Sequence, residues 1–173
     1  MPELEIRRLH DATERELAEL ADVLIDCVEG DASIGFMHPL SRTKALTFWH
    51  QIVDAVSRGD RALLVAEDAE GIVGTVQLVL DLPENQPHRA DLSKMLVHRR
   101  ARRRGAGAAL LRGAEDVARS TGRSLLVLDT ASTDAERLYE RAGWQRVGTV
   151  PGFALMPDGA PCATTFFYRS LEP

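Results

Sequence analysis

The spacing of apolar residues predicts a chain that alternates between strands and helices. A short strand is expected over residues 4–9. Residues 12–29 should form a helix, because their apolar positions recur at intervals of three and four. A second helix is expected over residues 41–59, and glycine and proline in the segment before it predict a break between the two.

The middle of the chain is richer in strands. Two β-rich runs, 61–67 and 72–82, are joined by a polar segment that contains Gly71, which is typical of a hairpin. A third strand is expected over residues 90–98. A helix should then run from Gly105 to Gly122, because glycine at the end of such a helix suits a C-terminal cap.

The last third continues the alternation. Residues 124–130 form a continuous apolar run, as expected of a strand that is covered on both faces. A helix over 133–142 and strands over 145–150 and 163–169 complete the pattern. The order β-α-α-β-β-β-α-β-α-β-β predicts a mixed α/β fold, and the absence of repeats and linkers predicts one domain over residues 1–173.

Composition narrows the choice of function. The chain has 173 residues and a net charge of −5, yet five arginines fall within residues 99–104. A basic spot in an acidic chain favours a small polyanion over nucleic acid. The two cysteines and five histidines have no metal-ligand spacing, so no metal is expected. No signal peptide or membrane-spanning run is visible, so we expect a cytoplasmic protein.

The glycine-rich turn after the third strand of the middle region is suited to hold a phosphate. Backbone amides at a helix N-terminus carry partial positive charge, and Gly105 and Gly107 allow close approach. A Walker A loop would need lysine and a hydroxyl residue, and a dinucleotide fingerprint would need glycine where Leu110 stands. The remaining pattern is Arg/Gln-x-x-Gly-x-Gly/Ala, which Arg102, Gly105 and Gly107 fit.

Three segments carry a resemblance to a known family. They are the run 92–107, the strand 125–129, and the segment 135–144, which contains an alanine, a tyrosine and a glycine–aromatic pair. In this order they resemble the GNAT superfamily of acetyl-CoA-dependent N-acetyltransferases. The resemblance implies a mostly antiparallel twisted sheet of six to seven strands with about four helices on both faces. Residues 88–97, 129–130 and 156–159 further resemble the tabtoxin-resistance acetyltransferases, which acetylate the amine of a β-lactam amino acid.

The resemblance also implies a set of contacts with acetyl-CoA. Backbone groups of the strand should hold the pantetheine arm, and amides of the turn should bind the pyrophosphate, while Arg99 or Arg100 could meet the 3′-phosphate. Many family members have asparagine where this chain has Ser132, a shorter side chain. The residues expected to contact the cofactor are Met95, Leu96, Val97, Arg102, Arg103, Arg104, Gly105, Ala106, Gly107, Ala108, Ser132, Ala135 and Tyr139.

Acetyl transfer to an amine requires a neutral amine and a protonated leaving thiolate. Tyr139 is the candidate general acid, because a phenol with a pKa of about 10 stays protonated at neutral pH and matches the tyrosine of the family. Asp91 and Asp129 are candidates for the base, acting through water, or for an anchor of the ammonium. The sequence leaves these two roles open.

The acceptor is expected to be the primary amine of a small molecule, and residues 29–38 are a candidate wall for its pocket. Two other functions remain open: a non-catalytic acyl-CoA sensor, and an acetyltransferase for protein N-termini or lysines. A nucleic-acid partner is not expected, because the arginine cluster lacks interleaved aromatic residues. A homodimer is common in the family, and no membrane partner is predicted.

Overall fold

The computed structural model describes residues 3–171, which form seven strands, four α-helices and one 3₁₀ turn. The predicted domain, 1–173, includes four terminal residues that lie outside the described residues. In chain order, the elements are β1 (Glu5–Leu9), α1 (Glu14–Glu29), α2 (Arg42–Ser57), β2 (Arg61–Asp68), β3 (Gly71–Val79), β4 (Arg89–Val97), the 3₁₀ turn (Arg99–Ala101), α3 (Ala106–Ser120), β5 (Leu125–Thr130), α4 (Thr133–Arg141), β6 (Gln145–Leu155) and β7 (Pro161–Ser170).

The seven strands form one sheet in the order β1-β2-β3-β4-β5-β7-β6. Neighbouring strands are antiparallel except for β4 and β5, which run parallel. The connection between these two strands is α3, as a parallel crossover requires. The predicted mixed fold, with a mostly antiparallel sheet and helices on both faces, is confirmed.

Each face of the sheet has its own hydrophobic core. Helices α1 and α2 cover one face, where Leu24 and Trp49 are completely buried together with Leu63 of β2. Helix α3 covers the opposite face, where Leu110 packs among residues of β2–β5 and Phe167 of β7. Helix α4 joins this second core through Tyr139. We call the first side the α1–α2 face and the second the α3 face.

Several helix and strand boundaries in the structure differ from the predicted ones. Helix α1 begins at Glu14 rather than at residue 12, because the Thr13 hydroxyl accepts from the Glu16 amide at 3.2 Å and Glu16 accepts from the Thr13 amide at 2.8 Å. This reciprocal pair is a capping box, which fixes where the helix starts. Strand β6 continues to Leu155 instead of ending at residue 150, across an irregularity in its pairing with β7. An edge strand tolerates the Pro151 in this irregular segment.

The segment between β4 and α3 also differs from the prediction. Strand β4 ends at Val97, and residues 99–101 form a 3₁₀ turn that the arginine-rich sequence did not indicate. Within residues 3–171, no helix is long and apolar enough to cross a membrane.

Candidate active site

The parallel strands β4 and β5 are paired over only part of their length. Their pairing covers Arg89 to Asp91 of β4 and Leu125 to Val127 of β5, so that residues 92–97 of β4 have no partner on β5. Backbone groups on such an unpaired strand edge can bind an extended ligand as an additional strand. Met95, Leu96 and Val97, three of the predicted cofactor residues, lie on this edge.

A β-bulge bends β4 within its unpaired part. Gln77 of β3 pairs with Ser93, and Thr75 pairs with Leu96, so two residues of β4 oppose the single Val76. Lys94 occupies the bulge with a φ of +53°, an unusual value for a residue other than glycine. Because a bulge increases local twist, it changes the direction of the β4 edge whose backbone groups have no partner on β5. This bulge could not be predicted from the sequence, because no glycine occupies the position.

The N-terminus of α3 is open for an anion. Gly105 is the N-cap, with a φ of +79° and no side-chain cap, and the first intrahelical hydrogen bond runs from the Ala109 amide to the Gly105 carbonyl at 3.0 Å. The preceding amides in the helix, those of Ala106, Gly107 and Ala108, therefore have no side-chain cap. A helix N-terminus of this kind binds phosphate groups through its amides and its dipole.

The two glycines of this turn have different roles. Gly105 supplies the left-handed conformation of the cap, and a Cβ there would meet no atom within 4 Å. A Cβ on Gly107 would lie 3.1 Å from Leu138 Cδ2 of α4. Gly107 thus allows α3 and α4 to pack closely, a role that the sequence pattern did not separate from phosphate binding.

Carboxylates from other elements hold several arginines of the turn. Asp26 of α1 accepts from the Arg99 side chain and, at 2.9 Å, from the Arg99 amide. Asp68 of β2 accepts from Arg100 and from Arg104, each at 2.9 Å. These ion pairs fasten the turn to the body of the protein. The expected contact of Arg99 or Arg100 with the 3′-phosphate stays a prediction, and both side chains have carboxylate partners here.

The Asp68 carboxylate is strongly stabilised in its charged form. Burial acts to raise its pKa, but hydrogen bonds from Arg104, the Glu70 amide and Arg100 outweigh this and hold the pKa at about 2. In contrast, Arg102 and Arg103 of the same turn are exposed, and Arg103 has a φ of +62°. Their side chains are accessible to a phosphorylated ligand.

Tyr139 extends from α4 into the core of the α3 face. Its side chain is buried, and its ring lies 5.6 Å from that of Trp144 and 5.8 Å from that of Phe167 between centroids. Burial raises the pKa of the phenol above its ordinary value of 10, and the charge of Asp129 raises it further. The hydroxyl therefore stays protonated through the physiological pH range, as a proton donor requires.

The two candidate carboxylates lie on the α1–α2 face near the end of the paired region. Their strand neighbours Leu92 and Leu128 belong to the opposite core, and alternate residues of a strand point to opposite faces. Asp129 is exposed and accepts from the Thr164 hydroxyl at 2.7 Å. Asp91 is half-buried and is paired with Arg89.

Electrostatics link Asp91 to the other candidate residues. Burial raises the pKa of the Asp91 carboxyl; the charge of Arg89 opposes this shift and that of Asp129 adds to it. A carboxylate with a raised pKa is a better proton acceptor. Asp129 therefore lies within electrostatic range of both Asp91 and Tyr139, the two other predicted catalytic residues.

Ser132 and Ala135 define the start of α4. The Ser132 hydroxyl accepts from the Ala135 amide at 3.2 Å, so it caps the helix. Ala135 packs against the core of the α3 face. Contact of these two residues with the cofactor stays a prediction, and the hydroxyl already has this local partner.

The loop between α1 and α2 contacts the β6–β7 hairpin. The Ser33 hydroxyl donates to the Leu155 carbonyl at 3.0 Å and lies 3.3 Å from Cys162 Sγ, while the His38 amide donates to the Pro157 carbonyl at 2.9 Å. The loop is therefore attached to the β6–β7 hairpin, which is consistent with the expectation that residues 29–38 form a wall of the acceptor pocket.

The structure adds polar residues that the sequence did not indicate. Arg61 of β2 donates to Gln77 Oε1 of β3 at 2.7 Å, beneath α2. A cavity of about 430 Å³ opens there between α2 and the ends of β2 and β3; it is lined by Phe48, Ile52, Ala55, Arg61, Val79 and Asp81, among others. In sequence, these residues are separated and resemble ordinary strand and helix positions. Only the packing of α2 on the sheet brings them together.

Comparison with known proteins places this site in a family. Residues 18–144 match the model of the Acetyltransferase (GNAT) family. A ribosomal-protein-alanine N-acetyltransferase from Brucella melitensis is similar in structure, with a TM-score of 0.80 and 25% identity over 96% of this chain and 99% of that chain.

Two further solved structures share the fold at lower identity. An N-acetyltransferase from Staphylococcus aureus Mu50 has a TM-score of 0.78 and 20% identity, over 98% of this chain and 99% of that one. A phosphinothricin acetyltransferase of the GNAT superfamily from Sinorhizobium meliloti, solved in complex with acetyl-CoA, has a TM-score of 0.79 and 18% identity, over 96% and 88% of the two chains. The match to the family model covers most of the chain, and together with the split between β4 and β5 it shows that this protein belongs to the GNAT acetyltransferase family.

Proposed function

We propose that the protein transfers the acetyl group of acetyl-CoA to the primary amine of a small molecule. The observation that carries this proposal is the unpaired edge of β4, which leads through the 3₁₀ turn and Gly105 to the N-terminus of α3, where no side chain caps the helix. The strand edge fits an extended, amide-containing arm, and the helix end fits a pyrophosphate. Acetyl-CoA has both parts in this order, and a structural neighbour of the same superfamily was solved with it.

The proposed chemistry assigns a role to each of the three polar residues. The amine nitrogen attacks the thioester carbonyl carbon, and the bond between this carbon and sulfur breaks. Asp91 or Asp129 accepts the amine proton through water, or holds the ammonium before it is deprotonated. Tyr139 donates its proton to the departing thiolate, and its raised pKa keeps that proton available.

The free-energy cost of deprotonating the amine determines how strong a base is required. An amine with a pKa of about 10.4 is neutral in roughly one molecule in 2,500 at pH 7, which corresponds to about 4.6 kcal/mol. A carboxylate whose pKa is raised by burial, as for Asp91, can offset part of this cost. This favours Asp91 over the exposed Asp129 as the base, and Asp129 as the anchor.

Acetylation of a protein N-terminus is the second candidate function. It is supported by the similarity to the Brucella melitensis enzyme, which is named for the alanine of a ribosomal protein. The contact between the α1–α2 loop and the β6–β7 hairpin favours a small acceptor instead, because it narrows the face that a peptide would cross. The two candidates are separated by comparing thiol release with alanine-terminated peptides and with small amines.

Other predictions from the sequence accompany this proposal. One sheet with a core on each face supports a single domain over residues 1–173. The similarity to a phosphinothricin acetyltransferase is in keeping with a small acceptor, whereas the resemblance to tabtoxin-resistance enzymes stays a prediction. The cytoplasmic location and the homodimer also stay predictions.

The first test measures thermal unfolding with and without acetyl-CoA. Ligand at about 100 times its Kd stabilises a protein by roughly 2.7 kcal/mol, which corresponds to about 5–11 °C at this chain length. We expect this shift with acetyl-CoA and with desulfo-CoA but not with ATP. No shift at millimolar acetyl-CoA would remove the support for the proposed function.

A matched pair of variants locates the binding site. Ala108→Asp places a carboxylate in the first turn of α3, where we expect it to repel the pyrophosphate and weaken acetyl-CoA binding at least about tenfold. Thr43→Asp places the same charge in the first turn of α2, and affinity should be unchanged. Acidic residues are tolerated at helix N-termini, so both variants should fold. Equal affinities for the two variants would place the phosphate elsewhere.

A further inference from the structure

The chain contains only two lysines, and the fold places them in different surroundings. Lys44 lies in the first turn of α2 and is exposed. Lys94 is half-buried in the bulge of β4, on the strand that carries the proposed contacts with the arm of acetyl-CoA. One of the two lysine side chains therefore lies beside the proposed path of the acetyl donor, and the other lies on the surface.

The order of the elements determines which end of acetyl-CoA would lie at the bulge. The pyrophosphate is assigned to the N-terminus of α3, which follows β4 in the chain, and the pantetheine arm is assigned to residues 95–97. Because one end of the arm is joined to the pyrophosphate, the arm runs along β4 away from α3. The thioester at its other end would then lie close to residues 93 and 94, where the bulge bends the strand.

The Lys94 side chain extends to the face where the acceptor amine is expected. A Cβ on Gly35 would lie 3.8 Å from the Lys94 ammonium nitrogen, so this nitrogen lies near the α1–α2 loop. The charge of Asp129 acts on the same ammonium, and Asp129 is the residue proposed to anchor the ammonium of an acceptor. Lys94 thus presents a primary amine in the surroundings that are assigned to the substrate amine.

The Lys94 ammonium is not fixed by a strong interaction. Within residues 3–171, no carboxylate oxygen lies within 4 Å of its nitrogen, and the nitrogen forms no hydrogen bond. Burial lowers the pKa of Lys94 and the charge of Arg61 lowers it further, while the charge of Asp129 opposes both. A lowered pKa increases the share of the neutral amine, which is the nucleophilic form. The cost of deprotonating this side chain is therefore smaller than for an exposed lysine.

We propose that Lys94 is an internal acceptor, which the protein acetylates from its own bound acetyl-CoA when no substrate amine is present. This inference rests on the proposed function and adds a modification site to it. The lone pair of Lys94 Nζ attacks the thioester carbonyl carbon, the bond between this carbon and sulfur breaks, and sulfur keeps the electron pair. Tyr139 protonates the thiolate. The nitrogen loses two protons and the thiolate takes one, so the products are acetyl-lysine, CoA and one proton released to solvent.

The test follows tryptic peptides of the protein after incubation with acetyl-CoA and no added amine. Trypsin cuts after Arg89 and Arg99 in every case, but it cuts after Lys94 only while that lysine is unmodified. Acetylation therefore replaces the peptides 90–94 and 95–99 by one peptide, 90–99, which is heavier by one acetyl group. We expect Lys94 to be acetylated at least about tenfold faster than Lys44, because a bound donor raises the effective concentration of the thioester.

Lys44 and desulfo-CoA distinguish catalysed from spontaneous acetylation. Lys44 reports the reaction of an exposed lysine with the same donor in the same sample. Excess desulfo-CoA, which has no thioester, should occupy the cofactor site and protect Lys94 while the rate at Lys44 stays the same. A saturating acceptor amine should slow the acetylation of Lys94 as well, because both amines require the same bound donor.

Three variants locate the reaction. Lys94→Arg keeps the positive charge and should abolish acetylation of peptide 90–99. Tyr139→Phe should slow the acetylation of Lys94 at least about tenfold and leave that of Lys44 unchanged, because only the catalysed reaction uses the general acid. Lys44→Arg is the matched control and should leave the rate at Lys94 unchanged. The thermal shift with acetyl-CoA is measured for each variant as the check of folding.

The outcomes separate this inference from the proposed function. Equal rates at the two lysines, or no protection of Lys94 by desulfo-CoA, would overturn the assignment of Lys94. A protein that is stabilised by acetyl-CoA and acetylates an added amine, yet leaves Lys94 unmodified, would overturn it as well and leave the proposed function intact. No stabilisation by acetyl-CoA would contradict the proposed function, and with it the bound donor that this inference requires.

Discussion

Replacing Tyr139 by phenylalanine tests the proposed general acid with little change to the fold. The tyrosine ring packs against Trp144 and Phe167, and phenylalanine keeps those contacts. Within residues 3–171, no residue forms a hydrogen bond with the Tyr139 hydroxyl, so its removal leaves no protein group unpaired. We therefore expect the melting temperature to change by no more than about 2 °C.

The expected loss in turnover follows from the role of the proton. General acid catalysis contributes typically about 10²–10⁴-fold, which corresponds to roughly 2.7–5.4 kcal/mol of barrier at 1.36 kcal/mol per tenfold. Burial and the charge of Asp129 raise the pKa of Tyr139, so the donor stays protonated through the physiological pH range. Tyr139→Phe should accordingly lower kcat by at least about a hundredfold at pH 7 and leave the Kd for acetyl-CoA within about twofold.

The assay is thiol release with the best acceptor of the amine panel, together with isothermal titration of acetyl-CoA. Tyr168→Phe is the matched control, because the chain has only these two tyrosines and Tyr168 is exposed on β7. It should retain at least half of the kcat of the unmodified protein. If Tyr139→Phe also retains at least half, while binding acetyl-CoA normally, the reasoning that assigns the proton to Tyr139 is refuted.

Two further predictions concern carboxylates. Burial raises the pKa of Asp91, so kcat/KM should fall as the pH is lowered toward that pKa. Asp91→Asn should remove this acidic limb of the pH profile and lower the rate by about 10²-fold or more, whereas Asp129→Asn should mainly raise KM. Normal pH–rate profiles in both variants would exclude both carboxylates as the base. Asp68→Asn should destabilise the protein by about 1–3 kcal/mol at pH 7, because the variant loses charge-assisted hydrogen bonds from Arg100 and Arg104. Since the folded pKa of Asp68, about 2, is below its ordinary 3.8, this contribution is present above pH 3.8 and is lost as the pH falls toward 2. Melting temperatures of the two proteins from pH 2 to pH 7 should therefore converge at the acidic end, and a constant gap would contradict the assignment.

The fold could be predicted from the sequence because its elements have strong local signals. The apolar spacing in α1 and the glycines that follow α3 and α4 are properties of neighbouring residues, and they define each element without knowledge of the rest. The element order was correct for this reason. The boundaries were less accurate where capping decides them, as at Thr13, or where pairing with another strand extends an element, as from residue 150 to Leu155 of β6.

The strand–turn–helix arrangement proposed to bind the cofactor could also be predicted, for a different reason. A strand, a glycine turn and a helix are contiguous in sequence, so residues 92–108 carry the whole arrangement in one segment. What this segment could not reveal is that Asp26 and Asp68 hold its arginines. These carboxylates lie in distant elements, and their charge pairs with the turn only after α1 and β2 have packed.

The group of polar residues beneath α2 could not be predicted, because it is made of single residues from separate elements. Arg61, Gln77 and Lys94 each look like ordinary strand positions in the sequence. Lys94 lies in a β-bulge that no glycine indicates. Asp60, which pairs with Arg58, also acts electrostatically on Arg61, and this arrangement exists only in the folded chain. The proposed cofactor contacts therefore depend on a local motif, whereas the groups beneath α2 come together only by long-range packing. A distant homologue can thus keep the turn of α3 while the surroundings of α2 differ, and for this reason the sequence motif alone does not predict an acceptor.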